Sequence, residues 1–364
     1  MTYVTIKLML HHRQRLPDIR LVIATVIAVA TTGILLLVAS RAAGPFVSTE
    51  PELGALSGQA AKITDSSASG GAAVQFKAAP SQFLFGIGTE LDGDLNQRLV
   101  KEAPVKLLTS WYNGPNDLGF MTGWKSTLIP QAYAAGYSLH LIVWTGDSEQ
   151  NITTKYGPAC GRPYPLSAGF TSDMQQLATA YKGTGPLYVS LFTEFQTYPC
   201  QDNNWVGSEN YYMALKDQYL ATMQIFHQYA PNSKVSLSWG GWQASYDDPA
   251  KGGGKSLFPY FADVMSASDF QSFQAMDSTS NLADITDMTK ILHAYGPVML
   301  AHYKPDNGSQ TTWNADLDTI FTPSNMAQLQ QNGLFAFSFM DNVNMNSSEA
   351  AYQKAKTIVQ TYAH

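Results

Sequence analysis

The decapeptide PLYVSLFTEF, residues 186–195, reads as a strand that ends in reactive chemistry. On a two-residue period Tyr188, Ser190, Phe192 and Glu194 share one face, and Val189 and Leu191 share the other. The second face is apolar and suits a layer of helices. The first carries a carboxylate at the strand's C-terminal end. Seven runs of the same kind surround it: FLFGIGTEL (83–91), VKLLTSWYN (105–113), SLHLIVWTGD (138–147), KVSLSWGGW (234–242), DFQSFQAMD (269–277), VMLAHYKP (298–305) and LFAFSFMDN (334–342). Helical patterns separate them, near 94–102, 124–135, 171–182, 209–229, 256–267, 283–295 and 324–332, with a last one at 348–362. Tyr295-Gly296-Pro297 and Asn332-Gly333 stop helices just before strands seven and eight, and Ala230-Pro231 ends the fourth helix. Eight strands alternating with eight helices over about 280 residues is the arithmetic of an α/β fold of the (β/α)₈ TIM-barrel type. A doubly wound open sheet would place a glycine-rich phosphate loop after the first strand, and the sequence has none there.

In a barrel of this kind the site lies at the C-terminal ends of the strands. Those ends read Glu90, then Trp111-Tyr112-Asn113, then Trp144 and Asp147, then Thr193-Glu194-Phe195-Gln196. They continue with Trp239 and Trp242-Gln243, Gln274 and Asp277, His302-Tyr303-Lys304, and Asp341-Asn342. Four of the seven tryptophans fall on this one face. Indole faces stack on the C–H faces of sugar rings while carboxylates and amides bond hydroxyls. The plainer reading of each tryptophan is a residue filling the top of the barrel. The sugar-cleft reading makes Trp111, Trp144, Trp239 and Trp242 platforms, with Asp147, Gln274, His302 and Lys304 bonding hydroxyls.

Cleaving a glycosidic bond usually takes two carboxyl groups. Glu194 is the candidate general acid, because partial burial at the end of an apolar strand raises a carboxyl pKa. Glu90, on the inward face with Gly86 and Gly88, is the first candidate for its partner, and Asp341 the second. The competing role for each is a carboxylate that bonds loop amides. The histidines show no metal-ligand spacing and no serine sits in a nucleophile elbow, so no cofactor is expected.

Charge and hydropathy place the chain. It carries 22 basic and 28 acidic side chains, a net of −6, but residues 1–42 hold five of the bases and one acid. The remainder has 17 bases against 27 acids, which gives no electrostatic footprint for nucleic acid. Leu21 to Ala39 is uncharged over 19 residues, enough to cross a bilayer core, and follows a basic cluster that stays on the cytoplasmic side. It reads as a signal anchor or a cleaved signal peptide. The expected organisation is a basic N-terminus (1–20), a membrane or signal segment (21–40), a linker (41–80) and an extracytoplasmic barrel (81–364). The two cysteines, Cys160 and Cys200, are then expected to form one disulfide between the loops after strands three and four.

Two resemblances accompany these readings. EPELGALSGQAAKITDSSASGGAAVQF, residues 50–76, resembles the opening strands of β-sandwich carbohydrate-binding modules carried by secreted polysaccharide-degrading enzymes. The likeness implies a calcium role for Glu50 and Glu52 and a turn at Ser66–Gly71, and it stops far short of a whole module. Residues 83–364 resemble the clan of (β/α)₈ glycoside hydrolases that carry an acid/base Glu after strand four and a nucleophile Glu after strand seven. Glu194 matches the first position. Thr193 stands where the clan has Asn, His302 where it has the nucleophile, and Met340-Asp341 where strand eight has an aromatic. The resemblance implies an extracellular glycoside hydrolase-like enzyme acting on a polysaccharide or cell-wall glycan, its second carboxylate supplied elsewhere. The alternative is a surface-tethered glycan-binding barrel without catalysis.

Overall fold

The computed structural model describes residues 60–64, 72–76, 82–88, 90–144, 148–197, 209–247, 256–276, 281–305, 310–340 and 343–364. The expected membrane or signal segment, Leu21 to Ala39, lies outside them, as do Asp147, Cys200, Asp277 and Asp341. Among the described residues no helix is long and apolar enough to cross a membrane. The chain divides into two units at residues 79 and 80. The first contains an antiparallel hairpin, β1 (Ala60–Thr64) and β2 (Ala72–Phe76), with Ala60 opposite Phe76 and Thr64 opposite Ala72.

The second unit is built on a closed ring of eight strands, every adjacent pair parallel. In chain order they are β3 (Leu84–Ile87), β4 (Leu107–Tyr112), β5 (Ser138–Val143) and, after an inserted hairpin of β6 (Gln150–Thr154) and β7 (Gly157–Gly161), β8 (Leu187–Leu191). The ring closes with β9 (Ser233–Gly240), β10 (Gln271–Ala275), β11 (Val298–Tyr303) and β12 (Leu334–Phe339). Seven strands lie inside the runs read from the sequence, and β9 starts one residue before its run. Most stop short of the run's end, because the last residues leave the sheet to form the rim.

Alternation along the strands sorts the interior into two parts. Val189, Leu191, Val235, Leu237, Phe337 and Phe339 join the helices in the main apolar core. Leu84, Leu107, Ile142, Tyr188, Phe270, Met299 and Ala336 form a second cluster within the ring. Other inward-facing residues are polar and bond one another. Thr109 Oγ1 lies 3.3 Å from His140 Nδ1 and 3.1 Å from Ser338 Oγ, His140 Nε2 lies 2.9 Å from Ser190 Oγ, and Ser236 and Ser272 hydroxyls lie 2.9 Å apart. Burial lowers the His140 pKa to about 3, so its imidazole is neutral there. Gly86 is required at this level, since a Cβ would fall 2.7 Å from Ser338 Oγ.

The outer helices carry the start signals their sequences promise. Ser167, Thr322 and Ser348 accept the amides of Phe170, Asn325 and Ala351 and so cap helices Ala168–Tyr181, Pro323–Gln331 and Glu349–Tyr362. Arg98, on the helix after the first barrel strand, joins the last helix through Glu349 at 2.6 and 3.1 Å. That contact links the two ends of the barrel sequence. Two elements go beyond the sequence reading: the β6–β7 hairpin, and a helix at Gln310–Ile320 whose buried side is Trp313, Leu317 and Ile320.

Candidate active site

The site is set by how β8 ends. Past Leu191 the backbone takes left-handed turns at Phe192 (φ 58°) and Glu194 (φ 60°), neither of them glycine. Such positions are strained for side chains with a Cβ and persist only where packing enforces them. Here two buried rings do so. Phe192 lies 5.4 Å from Phe170, and Phe195 lies 4.7 Å from both Trp239 and Phe261. Tyr188 and Ser190 face inward as alternation predicts, but Phe192 does not: the turn sends it into the helix-facing core. Glu194 is left pointing into a cavity of about 350 Å³ at the strand C-termini, which it shares with Glu90, Trp111, Asn113, Trp144, Thr193, Gln274, Met276 and Met340.

The walls of this cavity are largely indole and thioether, so burial disfavours the carboxylate. It pushes the Glu194 pKa up to about 7, against the opposing pull of the Arg162 charge. At neutral pH a large share of Glu194 therefore holds a proton, the state a general acid needs. The same shift has a consequence for stability. The folded chain keeps this proton up to about pH 7 and the unfolded chain only to its ordinary value near 4.5, so stability falls as pH rises through that window. Glu194→Gln removes the dependence. The variant is expected to match the parent in urea midpoint at pH 4 and to exceed it at pH 8, by up to about 3 kcal/mol. Equal midpoints at both pH values would show that Glu194 ionises as freely folded as unfolded.

Glu90 follows β3 and enters the same cavity, exposed at its edge. Its carbonyl accepts the amides of Gly93 (3.1 Å) and Asp94 (2.9 Å), which fixes the turn that presents it. Trp111 and Trp144, both half-buried, line the cavity. Arg162, beyond the inserted hairpin, lies 5.5 Å over the Trp144 ring and also bears on Glu194. The sequence reading did not single out Arg162, because nothing in its neighbourhood marks the hairpin that carries it to the rim.

Other expected site residues fall elsewhere. Trp239 is 0% exposed, packed against Phe195, Phe258 and Phe261, and presents no face to a sugar. Ser236 and Ser238 take the inward positions on β9, which leaves Trp239 with Val235 and Leu237 on the helix side. Trp242 is half-buried, its ring over Gly240, where a Cβ would come within 2.6 Å of it, and it does not line the cavity. Lys304 is likewise half-buried and outside the lining. His302 is 1% exposed and lies behind the lining rather than in it. Its ring stands edge-on to Trp111 with centroids 4.4 Å apart.

A bulge explains the position of His302. β10 and β11 pair Phe273 with Leu300 and then Gln274 with His302, which leaves Ala301 as an extra residue. Without it, the phase that puts Met299 inside would have turned His302 toward the helices. Gln274, also 1% exposed, does line the cavity. Among the described residues Trp111 Nε1, Gln274 Oε1 and both His302 nitrogens have no hydrogen-bond partner. Buried polar atoms left in this way typically cost about 1–3 kcal/mol each. Burial, with Lys304 and His140, lowers the His302 pKa well below its ordinary value, so the ring is neutral. Among the described residues no group of His, Cys, Asp and Glu is placed to hold a metal ion. Cys160 is half-buried on β7, and its expected partner Cys200 is outside the described residues.

No family model and no curated protein matches this chain. Solved structures do resemble it at low identity. A psychrophilic glycoside hydrolase family 10 endo-β-1,4-xylanase is 13% identical over 71% of this chain and 86% of its own, with a TM-score of 0.49. The GH53 catalytic domain of Ignisphaera aggregans is 14% identical over 72% and 85%, TM-score 0.47. An endo-1,4-β-mannanase from Eisenia fetida is 12% identical over 80% and 93%, TM-score 0.45. The barrel itself rests on this chain's closed ring of strands, and the chemistry on the residues at its mouth.

Proposed function

We propose that the chain is a glycoside hydrolase that cleaves a polysaccharide or cell-wall glycan outside the cytoplasm, with Glu194 as its general acid. One observation carries the reading: a strained turn holds a half-buried carboxyl group in a cavity lined by Trp111 and Trp144 at the strand ends, where burial raises its pKa. In the proposed reaction Glu194 protonates the leaving glycosidic oxygen. Glu90, in the same cavity, activates water or attacks the anomeric carbon, the choice depending on the separation of the two carboxyl groups. Asp341 is the second candidate for that role. Trp111 and Trp144 stack on sugar rings, and Gln274 bonds a hydroxyl.

The same proposal takes Leu21 to Ala39 as the segment that leads the barrel out of the cytoplasm, either as an anchor or as a cleaved signal. In that oxidising setting Cys160 and Cys200 pair and brace the loops that follow β5 and β8. A second reading, an inert glycan-binding barrel, is favoured by His302, which puts a buried neutral ring on the strand where the resembled clan keeps a carboxylate.

The test is incubation of the purified chain with plant, fungal and bacterial polysaccharides, following reducing ends and product sizes. New reducing ends that disappear in Glu194→Gln support the hydrolase. Retention of a glycan without any cleavage moves the assignment to the binding barrel.

A further inference from the structure

Arg162 sits on a segment that is fixed on both sides. Before it, β7 ends at Gly161, packed so closely on helix Glu209–Tyr229 that a Cβ would fall 2.5 Å from the Tyr211 ring. The same helix ties down the rest of the hairpin. Asn210 Nδ2 donates to the Pro158 carbonyl at 2.8 Å, and the Tyr156 hydroxyl donates to Asp217 at 2.6 Å. After Arg162 comes a short turn, Tyr164–Leu166, stiffened by Pro163 and Pro165. The Tyr164 hydroxyl donates to Asp173, which also accepts the Tyr112 hydroxyl at 2.7 Å, and the two hydroxyls touch each other. Tyr112 and Asp173 are buried, and Tyr112 directly follows Trp111 on β4. Asp173 therefore clamps the segment that carries Arg162 to a strand that walls the cavity.

This anchoring holds one charge beside the cavity. The Arg162 guanidinium, always protonated, lies 5.5 Å over the ring of Trp144, which shares the cavity with Glu194. Among the described residues the other titratable group of the lining is Glu90, while His302 and Lys304 of the β11 side lie outside it. Burial raises the Glu194 pKa, and the Arg162 charge is what pulls it back. A general acid faces two opposed demands. It must hold its proton until the reaction, and it must then persist as a carboxylate in the same apolar cavity. Burial serves the first demand and a nearby cation the second. Resting on the reading of Glu194 as the general acid, we propose that Arg162 is a positioning residue for its step: clamped over Trp144, its charge stabilises the carboxylate that Glu194 becomes. In that step the Glu194 proton passes to the glycosidic oxygen as its bond to the anomeric carbon breaks. The oxygen keeps the bonding pair and Glu194 keeps the O–H pair. A lone pair of Glu90, or of a water that gives its proton to Glu90, forms the new bond to the anomeric carbon.

The experiment reads the ionisation of Glu194 without requiring turnover. Urea midpoints of the full-length chain and its Glu194→Gln variant are compared from about pH 4 to about pH 9, with Arg162 intact and as Arg162→Met. With Arg162 intact the midpoints separate above the ordinary carboxyl range, and the gap stops widening near pH 7. In the Arg162→Met pair the gap is expected to widen for about 1 pH unit more, because the cation that favours the carboxylate is gone. Tyr164→Phe keeps the ring and loses the bond to Asp173. It is expected to move the limit in the same direction by less, and it decides the matter where Arg162→Met fails to fold. On a polysaccharide that the parent cleaves, Arg162→Met is expected to carry the alkaline limb of kcat/KM upward by the same interval. Its kcat there should fall by up to about tenfold, since the acid it leaves is weaker. A limit that stays in place or moves down in Arg162→Met overturns the inference, because a residue that only packs on Trp144 would not raise it. An unmoved limit in Tyr164→Phe removes the clamp from it. A raised limit with no new reducing ends in any variant retains the Arg162–Glu194 coupling and removes the hydrolase reading. Cleavage with an unmoved limit does the reverse.

Discussion

Glu194→Gln is expected to lower turnover by at least about a hundredfold while glycan affinity stays within a few-fold of the parent. Gln keeps the size and hydrogen-bonding reach of the protonated side chain but has no proton to give. The loss should therefore appear in kcat and not in binding. A general acid also makes a graded prediction. Substrates whose leaving group departs readily without protonation, such as activated aryl glycosides, should suffer much less from the substitution than a natural glycan does. In the parent, kcat/KM should decline above about pH 7, as the carboxyl that burial keeps protonated finally ionises. Steady-state kinetics on both substrate types would check all three points. Full activity of Glu194→Gln, or an equal loss on both kinds of leaving group, would remove Glu194 from the acid role.

The barrel was legible in the sequence because its strands are short apolar runs bounded by helix-stopping glycines and prolines, and those signals are local. The position of Glu194 was legible for the same reason, since it ends the most regular of the runs. What escaped lies where the sheet stops. A two-residue period predicts facing only while the ladder of hydrogen bonds continues. At Phe192 and Glu194 the backbone turns left-handed, so the predicted common face of these two residues is lost. At Ala301 one extra residue reverses the phase and brings His302 inward. Trp239 is a different case, because its strand is regular to Gly240 and the alternation through Ser236 and Ser238 already placed it outward. Nearness to the strand end points it to the site, but the face it occupies decides, and that face is buried. The hairpin Gln150–Gly161 left little trace because its residues are mostly exposed or half-buried, and no apolar face marks it.

Trp239 and Trp144 turn that distinction between position and face into a measurable contrast. Trp239→Ala removes a fully buried indole that touches Phe195, Phe258 and Phe261, and is expected to destabilise the fold by about 3–5 kcal/mol. Because Phe195 directly follows Glu194 and helps to hold its strained turn, whatever folded protein remains should also turn over more slowly. Trp144→Ala should do the opposite. Its ring is half-buried, lines the cavity and lies beneath Arg162, so stability should change by no more than about 1 kcal/mol. Affinity for the glycan should fall by about tenfold as a stacking face is lost. Urea denaturation and glycan titration on the two variants would check both halves. A stable Trp239→Ala with weakened glycan binding would return Trp239 to the cleft. A Trp144→Ala that unfolds easily while its folded fraction binds normally would make Trp144 part of the core.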